Sequence, residues 1–455
     1  MNGHVIMALN KSVSPMTDSI ILVFGGGPAG AAVAIGMARL GYRVTLIAKP
    51  RPFDAVEGVS ERVIKGMSGA GFKLALEEMA EPSARQVTWN GETNDANTEH
   101  LVSRKRFDQA LLLDLSSHGV NVISGRIRSY ACENNQYQVA VDCAEGGHRQ
   151  VFGDFIVEAR GRAAPTAGLP RVKGTQTVSL LQHWHGPPSQ PCSAVESFAD
   201  GWSWMAAQPD GRRYLQLTVD AASADLPPKH QLANWCRERL EGLHQARPFI
   251  DRAEPVGDVY GRTSTAILCE RSVADRWIRV GDAAMAVDPL SGNGMFQALS
   301  SALQAPAVVN TLIRHPERAE LAKQFHETRI EGLFYRFARI GRDFYLGESR
   351  WGDRPFWQAR REWPDTHPIH RDVTPADVTT ALRPVVKDGL IDEERVVITP
   401  DQPTGVWHLN GLPLAHLLDT IRSQPQRSPT SVLTEQLGPE KGQFIALWLA
   451  KQGWV

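Results

Sequence analysis

Two glycine-rich segments carry residue types and spacings that could hold an anionic, flat ligand. In the first, Gly25, Gly27 and Gly30 fit the spacing G-x-G-x-x-G. Such glycines allow a tight turn, a close approach of the backbone to a pyrophosphate, and close packing of the following helix. Backbone N–H groups and the dipole at the start of that helix favour bound negative charge. The pattern predicts a dinucleotide site; the alternative is a glycine turn used only for packing.

The second segment, residues 277–305, reads WIRVGDAAMAVDPLSGNGMFQALSSALQA. Asp282 directly follows a predicted strand, where its carboxylate can accept hydrogen bonds from a polyol. Gly292 and Gly294 allow a flat ring system to lie against bare backbone. A helix beginning near Met295 favours negative charge on that ring, as in a reduced flavin. The alternative is a strand-to-helix turn of an unrelated fold.

Regular elements on either side must position the first turn. Residues 20–24 are β-branched and aromatic and predict a strand buried on both faces. Ala31–Leu40 predicts a helix ended by Gly41, and Arg43–Ala48 predicts a second strand. This order is the βαβ unit of a dinucleotide-binding fold. The acidic residue that normally follows the second strand is missing, and Lys49 stands there, either as a ribose contact or as a solvated surface residue.

The pattern along the chain predicts an α/β protein with three parts. Alternating helices and strands indicate a discontinuous Rossmann-like domain over residues 19–175 and 266–345. Residues 176–265 predict an inserted mixed β-sheet domain that binds substrate. Residues 346–455 hold six of the twelve tryptophans and predict a small, mainly helical C-terminal domain, whose tryptophans form a core or a partner-docking surface. Its helices are expected near 374–388, 412–422 and 428–451.

Composition excludes several classes of function. Lys and Arg total 49 against 50 Asp and Glu, so no basic field exists to bind nucleic acid or anionic lipid. No apolar run approaches the roughly 20 residues of a membrane span. The first nineteen residues show no secretory signal, and five scattered cysteines favour a reducing compartment over disulfides or a zinc site. We expect a cytoplasmic protein without a metal.

Four segments occur in an order that identifies a family resemblance. They are the GGGPAG turn, the SRKRFDQALL segment, the strand IVEARGR and the loop GDAAMAVDPLSGNG. Together they resemble FAD-dependent monooxygenases of the aromatic-hydroxylase type, and more narrowly the branch with flavin-dependent tryptophan halogenases and geranylgeranyl-reductase-like enzymes. The resemblance covers residues 19–345.

The resemblance implies FAD as the cofactor and a role for each matching residue. The first turn would hold the pyrophosphate, and the second loop would line the isoalloxazine. Arg104, or alternatively Arg106, would reach the flavin or its phosphates; Asp282 would bind the ribityl chain or pyrophosphate; Ile127 would lie near the adenine. The implied cofactor-binding residues are Gly25, Gly27, Pro28, Ala29, Gly30, Lys49, Arg104, Ile127, Asp282, Pro289, Gly292, Asn293, Gly294 and Met295.

Two departures separate the chain from the halogenases. The strand GWSWMAAQP keeps Trp202 and Trp204, but two alanines replace the Ile-Pro that completes the halogenase pattern. Val56 stands near the place of the lysine that activates hypohalous acid, and Lys65 lies further downstream. The resemblance therefore implies that reduced FAD and O₂ insert oxygen directly into an electron-rich ring, an indole or a phenol.

Oxygen insertion also needs a group that removes one proton from the ring. Candidate catalytic residues are Glu61, which follows the second predicted strand, and His183 with His185, which share one face of a strand. The alternative for both histidines is a structural role. Electrons would come from NADH, NADPH or a partner reductase.

The appended C-terminal domain and the missing lysine also resemble monooxygenases that hydroxylate a peptidyl tryptophan during cofactor maturation. The predicted substrate is thus an indole or tryptophan, free or within a peptide or protein. Two alternatives remain enzymes: a flavin-dependent halogenase and a prenyl reductase. A third is of another class, a non-catalytic escort protein on a flavoprotein fold; it would be colourless when purified, whereas the enzyme would be yellow.

Overall fold

The computed structural model describes residues 18–51 and 53–455, without the side chain of Ala96. The expectation that the first nineteen residues carry no secretory signal concerns residues 1–17 and lies outside the described residues. The chain divides into two compact units. Of the described residues, the larger unit contains 18–306 and Leu333–Thr366, and the smaller unit contains Ala307–Gly332 and His367–Val455.

The strands of the described chain are β1 (Ile20–Phe24), β2 (Arg43–Ala48), β3 (Val56–Val59), β4 (Pro82–Trp89), β5 (Glu92–Ser103), β6 (Asn121–Glu133), β7 (Gln136–Cys143), β8 (His148–Gly153), β9 (Phe155–Glu158), β10 (Arg171–Lys173), β11 (Thr177–His185), β12 (Cys192–Phe198), β13 (Gly201–Ala207), β14 (Arg212–Asp220), β15 (Glu254–Thr263), β16 (Ile267–Cys269), β17 (Val273–Ala274), β18 (Trp277–Arg279), β19 (Met285–Ala286), β20 (Thr379–Lys387), β21 (Leu390–Thr399), β22 (Gln402–Val406), β23 (His408–Leu409) and β24 (Leu412–Pro413). Its α-helices are α1 (Pro28–Arg39), α2 (Glu61–Ala70), α3 (Leu74–Glu77), α4 (Arg104–Ser117), α5 (Leu232–Glu241), α6 (Arg247–Ile250), α7 (Gly294–Ala302), α8 (Ala305–Arg314), α9 (Ala319–Leu346), α10 (Pro355–Arg361), α11 (Leu414–Arg422), α12 (Pro429–Leu437) and α13 (Pro439–Lys451).

The first sheet of the larger unit has the strand order β17-β18-β9-β1-β2-β6-β7-β8. Its strands β18, β9, β1, β2 and β6 run parallel. Four consecutive residues of β1 are buried, as expected for a strand covered on both faces. β1 and β18 both lie beside β9 and run parallel to it. The turn after β1 and the loop after β18 therefore lie at the carboxyl ends of neighbouring strands, where ligands of open α/β sheets bind.

The second sheet of the larger unit has the order β15-β11-β14-β13-β12-β4-β5-β3, so strands from before residue 104 complete it. One face packs Met205, Leu215 and Leu217 against Leu240 and Phe249 of α5 and α6. Because side chains alternate along a strand, the neighbouring residues point to the opposite face. That face, called here the aromatic face, carries Trp202, Trp204, Ala206, Tyr214, Leu181 and His183.

The smaller unit contains a three-stranded sheet, β20-β21-β22, and the helices α11 to α13. Leucines of these helices, among them Leu418, Leu433 and Leu449, form its core. The prediction of a helix near 374–388 is wrong, because β20 pairs with β21 instead. The connecting residues Asp388 and Gly389 have φ angles of 51° and 75°, which an Asp-Gly hairpin turn requires.

The fold class, α/β with a Rossmann-like part, a second sheet and a C-terminal helical region, is confirmed. The limits 19–175, 176–265, 266–345 and 346–455 stay predictions. None of the described helices combines the length and apolar character that crossing a membrane would need.

Candidate active site

The first glycine turn is dictated by contacts within the protein. β1 ends at Phe24, and Gly25 follows with a φ of 111°, a left-handed conformation that favours glycine. A Cβ on Gly25 would overlap the carbonyl oxygen of Ala159, and one on Gly30 would overlap the carbonyl oxygen of Gly25. Both glycines are therefore required by the fold itself, whatever the turn binds.

Gly27 differs from its two neighbours in the motif. A Cβ on Gly27 would meet no atom of the described chain within 4 Å, so this side of the turn faces open space. Gly27 is the N-cap of α1, Pro28 opens the helix, and no described side chain caps it. The N–H groups of Ala29 and Gly30 at this helix start are the kind of donors that bind phosphate.

The second loop is also open. Asp288 begins a short 3₁₀ turn over Pro289–Ser291, and its Oδ1 accepts the N–H of Leu290 at 2.9 Å. Gly292 follows with a φ of 61°, and α7 begins at Gly294. A Cβ on either glycine would meet nothing within 4 Å in the described chain. Asn293, whose side-chain amide donates to the Ser291 carbonyl, and half-buried Met295 stand beside them.

The two segments meet in the structure. A Cβ on Gly281 would lie 2.7 Å from the Cβ of Ala29, so the start of the second segment packs on the first turn. Arg162 contacts the second segment at two points: its Nε lies 3.4 Å from Asp282 Oδ2, and its Nη2 donates to the Val287 carbonyl at 3.1 Å. One ligand can therefore contact an open helix start, a carboxylate and a glycine loop, which fits the phosphates, polyol and ring of FAD.

Two carboxyl groups of the second segment are partly buried and have raised pKa values. Burial raises the pKa of Asp282, and the nearby Arg162 opposes this effect. Burial also raises the pKa of Asp288, against the hydrogen bond from Leu290. In both groups the protein therefore stabilises the ionised carboxylate less than water does.

The aromatic face carries a cluster of ring side chains. Tyr214 lies between His183 and Trp204, with ring centroids 5.2 and 5.9 Å apart and both pairs edge-on. Nε2 of His183 lies 3.2 Å from the backbone oxygen of Asp54. A carbonyl oxygen only accepts, so Nε2 is the ring nitrogen that donates in this contact. His185 stands at the exposed end of the same strand.

Glu99 is a second acid–base group on this face, and sequence reasoning missed it. Its carboxylate is 6% exposed, its Oε1 accepts the indole N–H of Trp204 at 3.3 Å, and Arg85 lies 3.7 Å away. A Cβ on Gly58 would overlap this carboxylate. A buried carboxylate beside an indole is a candidate for substrate contact or proton transfer. β5 is polar along most of its length, so no alternation in the sequence distinguished Glu99.

The FAD-binding-domain family matches residues 18–331, more than half of the chain. The chain belongs to this family. It is also similar in structure to "Peptidyl tryptophan dihydroxylase QhpG essential for tryptophylquinone cofactor biogenesis", with a TM-score of 0.82 and 49% identity over 96% of this chain and 100% of that one. The chain is therefore an FAD-binding flavoprotein and an oxidoreductase.

Other relatives agree on the family. A tryptophan 2-halogenase of Chondromyces crocatus is 27% identical over 75% of this chain and 70% of its own. The putative FAD-dependent oxidoreductase LodB of Marinomonas mediterranea is 24% identical over 74% of this chain and 96% of its own. The flavin-dependent halogenase CmlS shares the fold, with a TM-score of 0.76 and 18% identity over 97% of this chain and 96% of that one. The predicted resemblance to FAD-dependent monooxygenases and halogenases is confirmed.

Arg104, expected to reach the flavin, is occupied by protein carboxylates in this structure. Its Nη1 lies 2.7 Å from Glu57 Oε1, and its Nη2 lies 2.8 Å from Asp108 Oδ1. Burial alone would lower the pKa of Arg104, but these two ion pairs outweigh it and the pKa is raised. Arg106, the alternative, is exposed and pairs with Glu78. A contact of Arg104 with FAD stays a prediction.

The remaining residues that the sequence predicted for the site lie outside the two glycine segments. Lys49 is exposed just after β2. Ile127 lies in β6 and is partly buried against the core cluster that contains Leu22 and Phe24 of β1. Glu61 begins α2 with a side chain 64% exposed, and its carboxylate lies 3.4 Å from Nε2 of His100. The structure brings the two glycine segments together, whereas Glu61 faces solvent and His183 stands on the aromatic face.

Proposed function

We propose that this protein is an FAD-dependent monooxygenase that hydroxylates the indole ring of a tryptophan within a peptide or protein, during maturation of a cofactor. One observation carries the proposal: the similarity to a peptidyl tryptophan dihydroxylase, which at 49% identity includes all of that chain. The site supports it, because an open cofactor cradle and a face of ring side chains lie in the same unit.

When bound, reduced FAD supplies the activation of O₂ and the transfer of one oxygen atom to an electron-rich ring. The residues that would hold it are those of the first turn, Asp282 and the second loop. The protein must keep water out and orient the substrate ring. Leu181, Ala206 and Val56, all buried, provide an apolar surround for an indole on the aromatic face.

We propose His183 as the group that takes up the proton released by the ring. Its Nε2–H is held by the Asp54 carbonyl, which leaves Nδ1 as the ring nitrogen that would accept a proton. Glu61 remains the alternative, although its exposure to water suits a buried reaction less. Glu99 is a third candidate, since its carboxylate already accepts an indole N–H.

Halogenation is the competing activity, and the lysine position argues against it. Val56 is buried in the apolar surround, and Lys65 is exposed on α2. Neither residue places an ammonium group among the apolar side chains around Val56. The chain is also less similar to the halogenases than to the dihydroxylase.

The test uses purified holoenzyme, NADH or NADPH, O₂ and a tryptophan-containing peptide, with products read by mass spectrometry. The expected product has gained one or two oxygen atoms on the tryptophan. Free tryptophan as the better substrate would remove the peptide part of the proposal. A chlorinated product in the presence of chloride, or NAD(P)H oxidation without any oxygenated product, would overturn the hydroxylase proposal.

Two variants test the proton acceptor. His183→Gln keeps a similar side-chain length and can place an amide N–H near the position of Nε2, and it should lower product formation about 10²-fold or more while FAD binding is unchanged. Glu61→Gln is the matched control and should keep most of the activity. The reverse result would assign the proton to Glu61, and loss in neither variant would direct attention to Glu99→Gln.

Two further expectations belong to this proposal. The electron donor is NADH, NADPH or a partner reductase, and O₂ is the co-substrate, as monooxygenation requires. A cytoplasmic location stays a prediction, supported by five cysteines that are all free thiols.

A further inference from the structure

A chain of three side chains connects the aromatic face with the second loop. The indole N–H of Trp202 donates to the hydroxyl of Tyr345 at 3.3 Å. That hydroxyl in turn donates to Oδ1 of Asp288 at 3.0 Å. The same Oδ1 accepts the backbone N–H of Leu290, so the chain ends on the backbone of the loop.

All parts of this chain lie in the larger unit and in a closed environment. Tyr345 is 2% exposed and Trp202 is 3% exposed. The side chain of Leu290 packs against the cluster that both rings share with Phe356 and Trp357. Water therefore cannot easily replace the Tyr345 hydroxyl as the partner of Asp288.

The direction of the hydrogen bonds follows from the surroundings. Burial first, and the neighbouring Asp288 second, raise the pKa of Tyr345 well above its ordinary value. The hydroxyl therefore keeps its proton over the whole physiological range and donates it to the carboxyl. Asp288 starts the turn that leads to Gly292 and Gly294, the two open glycines of the loop.

We propose that Tyr345 is a positioning residue for the flavin, with Trp202 as its support. The Tyr345 hydroxyl fixes the Asp288 carboxyl, Asp288 fixes the backbone of Pro289–Gly292, and this backbone sets where the ring of FAD lies. The proposal rests on the role of the second loop in the proposed function, but not on the substrate or on hydroxylation. It assigns the first tryptophan of the Trp-x-Trp strand a task at the cofactor.

The alternative is that Tyr345 contributes only its ring to the apolar cluster. Its ring lies edge-on to Phe356 and Trp357, at 5.8 and 5.9 Å between centroids, and these contacts need no hydroxyl. Tyr345→Phe separates the two possibilities, because it keeps the ring and removes the oxygen. Tyr335→Phe is the matched control, since it removes a hydroxyl from the same helix, α9, at a residue outside the chain of hydrogen bonds.

The experiment measures FAD affinity by flavin fluorescence and records the absorption spectrum of bound flavin, without any substrate. For Tyr345→Phe we expect the dissociation constant of FAD to rise about tenfold, because the loop that holds the ring loses one hydrogen bond to the Asp288 carboxyl. We also expect the flavin bands to shift toward those of free FAD. The apoprotein of Tyr345→Phe should melt at a lower temperature than that of Tyr335→Phe, because the buried Asp288 and Trp202 lose their partner, so FAD binding is measured well below both melting temperatures. Unchanged affinity and an unchanged spectrum would overturn the proposal.

Trp202→Phe provides the second arm. Alone it should weaken FAD binding less than Tyr345→Phe does, and in the Tyr345→Phe background it should add nothing, because its effect passes through the missing hydroxyl. Fully additive effects would show that Trp202 does not act through Tyr345. If the variants position FAD as proposed but no variant or parent hydroxylates a peptide, the proposed function fails and this inference stands.

Discussion

The two glycine segments of the site use glycine for different reasons. In the first turn, Gly25 and Gly30 are surrounded by protein, and a Cβ on either would overlap a backbone carbonyl oxygen. In the second loop, Gly292 and Gly294 face open space. The first pair is required for the chain to fold, whereas the second pair leaves room for a ligand. Gly27 lies in the first turn but belongs with the second loop by this criterion.

Glycines of one motif can therefore serve two different purposes. A spacing such as G-x-G-x-x-G combines folding and binding positions, and the sequence does not separate them. Variants at the two kinds of position should affect different measurements: the free energy of unfolding for one kind and the affinity for FAD for the other.

The largest expected effect is that of Gly30→Ala. The added Cβ meets the backbone of Gly25 within the same turn, and neither can move without breaking the contact between α1 and β1. We expect the free energy of unfolding of the apoprotein to fall by about 3 kcal/mol or more, if the variant folds at all. Urea denaturation of the apoprotein measures it. A stability equal to that of the parent would mean that the turn adapts to a Cβ and that Gly30 is not required for folding.

Gly27→Ala tests whether Gly27, unlike Gly25 and Gly30, serves ligand binding and not folding. Its φ of −76° suits alanine, and the added Cβ points into open space. We expect the apoprotein's free energy of unfolding to stay within about 1 kcal/mol of the parent, while FAD affinity falls at least about tenfold because the methyl group occupies the place of the phosphates. Equal FAD affinity would place the pyrophosphate elsewhere.

Gly294→Ala should have a smaller effect: it should raise the stability of the apoprotein and lower its affinity for FAD. Gly294 opens α7, where alanine is the better helix former, so the apoprotein should gain up to about 1 kcal/mol of stability. FAD affinity should fall, because the methyl group intrudes where the flavin ring would lie. Thermal unfolding without and with saturating FAD shows both effects. A loss of apoprotein stability would mean that this glycine serves the fold after all.

The smallest expected effect concerns the charge of Asp282. Its pKa is raised in the folded protein, so the folded state binds more protons than the unfolded state just above the ordinary carboxyl range. Stability is therefore lost as the pH rises through this range. Asp282→Asn lacks this loss, and its stability relative to the parent should grow from pH 4 to pH 7. Urea titrations of the apoproteins at several pH values measure the trend; a difference that shrinks with rising pH contradicts it.

Local patterns carried the parts of the site that sequence could predict. The turn at Gly25–Gly30 and the loop after Asp282 are short segments whose spacing alone indicates their conformation. Contacts between distant residues could not be predicted: Tyr345 and Asp288 are 57 positions apart, and Trp204 and Glu99 are 105 apart. Arg104 also shows this limit, because its motif was visible but its partner Glu57 depends on the placement of β3.

The wrong helix near 374–388 has a local cause. Thr379, Thr380, Val385 and Val386 favour a strand, and Asp-Gly at 388–389 is a hairpin signal. The register of β20 with β21 then depends on pairing between strands, which no single segment of sequence specifies.

The indole of Trp204 stands half-buried on the same face that we assign to the substrate, with its N–H held by Glu99. An enzyme that oxidises tryptophan therefore exposes its own tryptophan to the oxidant whenever no substrate covers it. Idle turnover should damage the catalyst at Trp204 before the shielded Trp202, so that a delivered peptide acts both as reactant and as protection.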